Sequence, residues 1–285
     1  MANPPSPNSK TAAVTGAASG IGKAFCEAFA RAGYDLILID RSPAATEEFA
    51  AKLKAAFPNA RIDTCVGDLL EPDDLERAAE MVASCATLER LVTAAGFGIT
   101  ANFSDTTFAK QKALIDIHVV ASVRMCHAAL QTMIPRDSGA IINISSISAF
   151  TRFPQTATYC GAKMFLIGFT ESLAVELQKM GLRNIKLQAL CPGQTRTAFP
   201  LSEDMRGFDP NRVPAFLWMT PEALVELSLA RLERGSGTYI PHLKNKLYVF
   251  VFGNPIVTLL LNFLRKFGIL EMALALFRRR KPAQG

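Results

Sequence analysis

The sequence predicts one α/β domain in which a parallel sheet is covered by helices on both faces. Short apolar runs alternate with stretches of helical period along most of the chain. Those runs are near-continuously apolar instead of alternating with polar residues, as strands buried on both faces are. A glycine-rich turn joins the first run to the first helical stretch. The chain has 285 residues and no low-complexity linker divides it, so a single large domain is expected over residues 10–243. Residues 1–9 read as a disordered lead, and 244–285 as an apolar, basic helical extension.

TAAVT (11–15) is the first strand, GAASGIG (16–22) the turn, and KAFCEAFARAG the helix after it. Gly16, Gly20 and Gly22 let the backbone approach a pyrophosphate, and the N–H groups opening the helix favour that anion; Ser19 and Ile21 lie in the same turn. DLILID (35–40) is the second strand. It ends on Asp40, whose carboxylate suits an adenosine ribose and repels a 2′-phosphate, so NAD is expected over NADP. Arg41 points the other way, because its guanidinium could reach a 2′-phosphate or stack on adenine. A helix at 43–57, the strand RIDTCVG followed by Asp68 and Leu69, and a helix at 72–84 come next. RLVTAAG, a long helix from about 105 to 134 and the strand GAIINIS complete the pattern. Ligands of such sheets bind where the strands end, which is where Gly16, Asp40, Asp68, Gly96 and Ser146 fall.

The stretch SSISAFTRFPQTATYCGAK (145–163) carries the chemistry. If it is helical from about Pro154, Tyr159 and Lys163 share one face, a turn apart. A phenol is a poor base near neutral pH, and an adjacent cation is expected to lower its pKa and let it exchange protons there. A hydroxyl from Ser145 or Ser146 could hold the same substrate oxygen. The group suits interconversion of a carbonyl and an alcohol.

TGAASGIG (15–22), Asp68-Leu69, AAG (94–96), NISS (143–146), YCGAK (159–163) and CPGQTRT (191–197) together resemble the short-chain dehydrogenase/reductase family, in order and spacing, over roughly residues 10–240. The match is most similar to a branch of broad-specificity bacterial reductases. The resemblance implies a Rossmann-type three-layer sandwich with a seven-stranded parallel sheet, a nicotinamide cofactor and a Ser-Tyr-Lys site. It selects Ser146 over Ser145, because the family's serine lies thirteen residues before its tyrosine. It implies that Ser146 polarises the substrate oxygen, Tyr159 exchanges the proton, and Lys163 lowers the tyrosine pKa and holds the nicotinamide ribose. The Asp68 carboxylate would meet the adenine amino group, with Leu69, Ala95 and Gly96 also against the cofactor. The segment after Pro192 and Gly193 would cover the nicotinamide, with Thr195 or Thr197 on its carboxamide.

Two departures from the family pattern stand out. Thr93-Ala94-Ala95-Gly96 replaces the usual Asn-Asn-Ala-Gly and loses two bracing amides. His118 occupies the place of an asparagine that orders a proton-relay water; an imidazole can also relay protons, or simply bond a backbone carbonyl. An alternative function is therefore a cofactor-binding scaffold or regulatory protein of the same fold that has lost turnover.

Six scattered cysteines without a C-x-x-C pair and three histidines without a ligand pattern predict neither disulfides nor a metal, and suit a reducing cytoplasm. The net charge is +6, yet beyond residue 243 eight basic residues face Glu271 alone, which makes that tail +7 and leaves the body near neutral. No nucleic-acid partner is expected. Residues 199–219 are broken by Pro200, Gly207, Pro210 and Pro214 and read as irregular; the resemblance implies a mobile lid there, with Phe199, Phe208, Phe216, Leu217 and Trp218 lining an apolar pocket. Thr220-Pro221 opens a helix and GTYI is the last strand.

The uncharged run at 247–264 is long enough to cross a membrane, but Gly253-Asn254-Pro255 interrupts it. Short helices with an apolar face are expected instead, with a third at 267–279. They would close the pocket, and through 244–281 either touch a membrane's inner face peripherally or serve as a soluble lid or dimer contact. Apolar residues make up 49% of the chain, which with the lid and tail suggests a small lipophilic alcohol or carbonyl substrate, fatty-acyl or sterol-like. The resemblance further implies a homodimer or homotetramer.

Overall fold

A computed structural model describes residues 10–151, 153–197 and 213–254, with the isolated positions 205, 209, 211, 257, 259 and 263. The lead at 1–9, Phe199 and Phe208 of the lid, and the expected helix at 267–279 lie outside these residues.

Seven parallel strands form one sheet: β1 (Thr11–Thr15), β2 (Asp35–Asp40), β3 (Ile62–Val66), β4 (Leu88–Thr93), β5 (Gly139–Ile144), β6 (Ile185–Leu190) and β7 (Gly237–Tyr239), ordered β3-β2-β1-β4-β5-β6-β7. The order reverses direction between β1 and β4, and there the strand ends open a crevice. β1 lies in register with both neighbours, Val14 beside Leu38 and Val92.

Alternate residues of each strand feed two cores. Ala12, Val14, Leu36, Leu38 and Ile142 face α1 (Gly20–Arg31), α2 (Pro43–Ala56) and α7 (Pro221–Leu232). Ala13, Ile37, Ile39, Leu91 and Ile141 face α3 (Pro72–Ala83), α5 (Ala121–Met133) and α6 (Ala157–Lys179). Both faces are thus dry, which is why the strands read as unbroken apolar runs. Truncating a fully buried leucine such as Leu38 or Leu91 to alanine would cost about 2–5 kcal/mol.

The long helix expected from 105 runs instead from Phe108 to Arg136, as α4 (Phe108–Ile115), a π-helical turn (Asp116–Val120), α5 and a 3-10 end (Ile134–Arg136). Its N-terminus is set by Thr107, whose hydroxyl accepts from the Lys110 amide. This helix is long and apolar enough to cross a membrane, but its buried face, with Met125, Ala128, Ala129 and Met133, is core. Thr220 caps α7 by accepting from the Ala223 amide, and Pro221 opens it. α8 (Leu243–Gly253) begins the C-terminal extension.

Candidate active site

The glycine turn is a cradle that side chains would fill. Gly16 (φ +66°) and Gly20 (φ +51°) are left-handed, and a Cβ on Gly16 would sit 2.9 Å from the Ala95 backbone. A Cβ on Gly22 would sit 2.2 Å from the Gly16 carbonyl oxygen, so α1 can start this close only with glycine there. The first bond of α1 runs from the Lys23 amide to the Ser19 carbonyl, which leaves the N–H groups of Gly20, Ile21 and Gly22 ahead of the helical ladder. With the helix dipole, they are suited to a pyrophosphate.

Asp40 has a task that the sequence did not disclose. Its Oδ2 accepts from the Ala18 amide (3.0 Å) and its Oδ1 from the Ser42 amide (3.1 Å), so it ties the glycine turn to the start of α2. Each oxygen keeps a lone pair for a ribose hydroxyl. Arg41 beside it is exposed. Asp68 accepts from the Leu70 amide, its own amide bonds Asp74, and Leu69 is buried in the core below it.

The bracing expected to be lost at Thr93-Ala94 is supplied by other groups. The Thr15 hydroxyl accepts from both the Ala94 and Ala95 amides (3.0 and 3.1 Å), fixing β4's end against β1. Thr93 donates to Asn143, which donates to Thr170 (2.8 and 2.9 Å), so a buried chain of hydroxyls and amide links β4, β5 and α6. Thr15 and Asn143 stand in the stretches TGAASGIG and NISS, and a polar side chain at a strand end was the signal that could have found them.

The two serines after β5 divide their tasks. Ser145 is buried and donates to the Lys163 carbonyl of α6 (2.7 Å), which makes it structural. Ser146 accepts from the Ser148 amide (3.0 Å), caps the 3-10 turn Ile147–Phe150, and its hydroxyl also bonds Tyr159. Tyr159 and Lys163 share the expected face of α6, and the Lys163 ammonium lies 5.6 Å from the tyrosine ring centre.

The expected lowering of the Tyr159 pKa is not found. Burial pushes it up to about 12, outweighing the Ser146 hydrogen bond. Lys163 is itself dehydrated at 5% exposure, and its ammonium is pulled down to about 7. Its Nζ donates to the Ile144 carbonyl (2.7 Å), so it is anchored to the end of β5. Tyr159 and Lys163 are thus two buried groups near the end of β5 shifted in opposite directions, a pattern that functional sites concentrate.

His118 is carried inward by the π-helical turn and is 2% exposed. Its Nε2 lies 2.7 Å from the Phe97 carbonyl, which can only accept, so Nε2 carries the proton and donates. That leaves Nδ1 as an acceptor, buried and without a hydrogen-bond partner among the described residues. Burial first, then the Lys163 charge, holds the imidazole well below its usual pKa and therefore neutral. The ring meets Tyr159 edge-on, with centres 5.5 Å apart, and lies where a Gly96 Cβ would be.

Of the residues after β6, Pro192 accepts from the Ile147 amide, and buried Thr195 bonds the Gly193 carbonyl (3.2 Å). Thr197 instead lies over the glycine turn, 3.2 Å from where a Gly20 Cβ would be. Within the lid, Phe216 is 70% exposed, and the Trp218 indole donates to the Val213 carbonyl.

A family model described as short chain dehydrogenase matches residues 10–204. The chain is 35% identical over 212 residues to galactitol 2-dehydrogenase (L-tagatose-forming) of Cereibacter sphaeroides, covering 74% of this chain and 80% of that one. It is 30% identical over 173 residues to very-long-chain 3-oxoacyl-CoA reductase of Mycosarcoma maydis, covering 59% of this chain and 49% of the relative, so it spans about half of that protein's length. A short-chain dehydrogenase from Sphingobium yanoikuyae, solved in complex with NADPH, superposes with a TM-score of 0.75 at 26% identity, over 97% of this chain and 98% of that one. The chain belongs to the short-chain dehydrogenase/reductase family, whose members are oxidoreductases with a Rossmann-type fold.

Proposed function

We propose that this chain is an NAD(P)-dependent oxidoreductase that interconverts a secondary alcohol and a ketone. One observation carries the reading: Ser146, Tyr159 and Lys163 meet at the carboxyl end of β5, in the crevice that the glycine cradle opens. The cradle, Asp40, Ala95, Gly96 and the loop from Pro192 to Thr197 are the residues that would hold a dinucleotide. A bound nicotinamide supplies or accepts the hydride.

The protein's side chains handle the proton and the oxygen. The Ser146 hydroxyl orients the substrate oxygen, and the Tyr159 hydroxyl gives it a proton in reduction or takes one in oxidation. Lys163, anchored on Ile144, keeps positive charge below the phenol whenever it is protonated. His118, neutral and beside Tyr159, offers an acceptor for a relay water at Nδ1. The scaffold alternative loses its main support, because Thr15 holds the Ala94 and Ala95 amides and Thr93 itself braces β4 through Asn143.

Three finer readings go with this one. NAD is favoured over NADP because the Asp40 carboxylate is fixed where a 2′-phosphate would be repelled. A lipophilic substrate suits the apolar residues of the lid and of α8. On α8, Leu243, Leu247 and Phe250 form one exposed face beside Lys244 and Lys246, which suits peripheral contact with anionic lipid. Flotation with anionic vesicles, comparing the full chain with one truncated after Lys244, tests that contact, and equal partitioning would remove it.

The central test is Tyr159→Phe. NADH and NADPH titrations should give unchanged affinity, while turnover across a panel of ketones falls by about 10²-fold or more. Retained turnover would overturn the assignment.

A further inference from the structure

The first helix of the C-terminal extension lies on the loops that follow β5 and β6. Along α8 the residues Leu243, Leu247 and Phe250 face outward, yet Asn245 is 3% exposed. Its Nδ2 donates to the Pro241 carbonyl (2.8 Å), and its amide lies flat on Gly193, where a Cβ would sit 2.6 Å from Oδ1. The other end of the helix makes a second close approach, since a Cβ on Gly253 would sit 2.5 Å from the Phe150 carbonyl oxygen.

Two further contacts complete the seat. Tyr248 stacks on Phe153 (ring centres 6.3 Å) and meets Phe252 at a tilt (4.7 Å), and Lys244 donates to the Phe216 carbonyl. α8 therefore touches the loop after β6, the turn after β5 and the lid. The turn it meets, Ile147–Phe150, is the one that the Ser146 hydroxyl caps, so a shift of Phe150 is felt at Ser146. Entry to α8 is through His242 in a left-handed conformation (φ +62°), which for a non-glycine residue persists only where its surroundings hold it.

We propose that Asn245 is a positioning residue that seats α8 over Gly193 and Phe150 as a wall of the substrate chamber, coupling that wall to the cofactor-side loop. This rests on the oxidoreductase reading above. The two glycines are what allow the seat: an alanine at either position would lift one end of the helix. Asn245 is polar and buried because it must lie against a bare backbone while satisfying its own amide on Pro241.

The test uses the full-length chain and hydrogen-exchange mass spectrometry with and without saturating NADH or NADPH, whichever binds. In the native chain, cofactor should slow exchange at 16–22, at 192–197 and, by several-fold, at 243–253. In Asn245→Ala, the first two segments should still be protected while 243–253 is not. The same variant should raise KM for bulky ketones such as benzil over cyclohexanone and leave cofactor affinity within about twofold. Gly193→Ala, which drives the same contact apart from the other side, should reproduce the loss at 243–253.

Protection at 16–22 with no change at 243–253 in the native chain would overturn the proposal and leave the oxidoreductase reading standing. Equal protection of 243–253 in Asn245→Ala and the native chain would show that this side chain does not carry the coupling. Absence of binding by either cofactor would overturn both.

Discussion

Lys163 makes the active site's electrostatics measurable as stability. Its ammonium is held by burial at about 7 in the fold, against about 10.5 for an exposed lysine. Below pH 7 the native and unfolded chains are both protonated there, and the native state bears the full cost of a dehydrated charge. Between pH 7 and 10.5 the unfolded chain binds more protons, so stability rises with pH; above 10.5 both forms are neutral. The whole window amounts to about 5 kcal/mol at 1.36 kcal/mol per pH unit, and the stretch from pH 7 to 9 to about 2 kcal/mol.

Lys163→Met keeps the bulk and removes the charge. At about 2–4 °C per kcal/mol for a chain near this length, the native Tm should rise by about 5 °C more than the variant's between pH 7 and 9, without cofactor and at fixed ionic strength. The buried thiols Cys126 and Cys191 and the Tyr159 phenol, all pushed up to about 12, act with the opposite sign only above their ordinary values of 9.0 and 10.0. They are common to both proteins and lie beyond this window. Parallel Tm slopes in the two proteins would refute a lysine discharged by burial.

Gly96→Ala would place a methyl 2.1 Å from the His118 Cε1, forcing the ring off the Phe97 carbonyl; overpacking and a lost hydrogen bond predict about 2–4 kcal/mol by chemical denaturation. In a His118→Ala background the same change should cost little, and additive costs would refute the contact. Asp40→Ala should relax discrimination between NADH and NADPH in paired titrations, and it should also lower Tm, because the Ala18 and Ser42 amides lose their acceptor. An unchanged cofactor ratio with a lowered Tm would make Asp40 purely a brace of the glycine turn. Thr15→Val removes the acceptor for the Ala94 and Ala95 amides at almost constant volume and should cost about 1–3 kcal/mol, read as a shifted denaturation midpoint with the same slope.

The strands and their order of appearance were legible because a sheet buried on both faces demands unbroken apolar runs, and TAAVT, DLILID and GAIINI supply them. The cradle was legible because close backbone approach admits only glycine, as the 2.2 Å gap at Gly22 illustrates. The π-helical turn at Asp116–Val120 was not, since a single wide turn leaves the apolar spacing of a long helix almost intact. It nonetheless decides that His118 points at Tyr159 and the Phe97 carbonyl instead of along the helix surface. Nor could spacing decide between Ser145 and Ser146 without the family comparison; in the structure consecutive residues at the end of β5 face opposite ways, one into α6 and one into the crevice.

The misjudged sign at Tyr159 follows from the same kind of gap. Sequence gives neighbours at i and i+4 but not their hydration, and a cation lowers a phenol's pKa only while it remains charged. Here both groups are buried, and dehydration is the largest cause of each shift, so the phenol is pushed up to about 12 while the ammonium is pulled down to about 7.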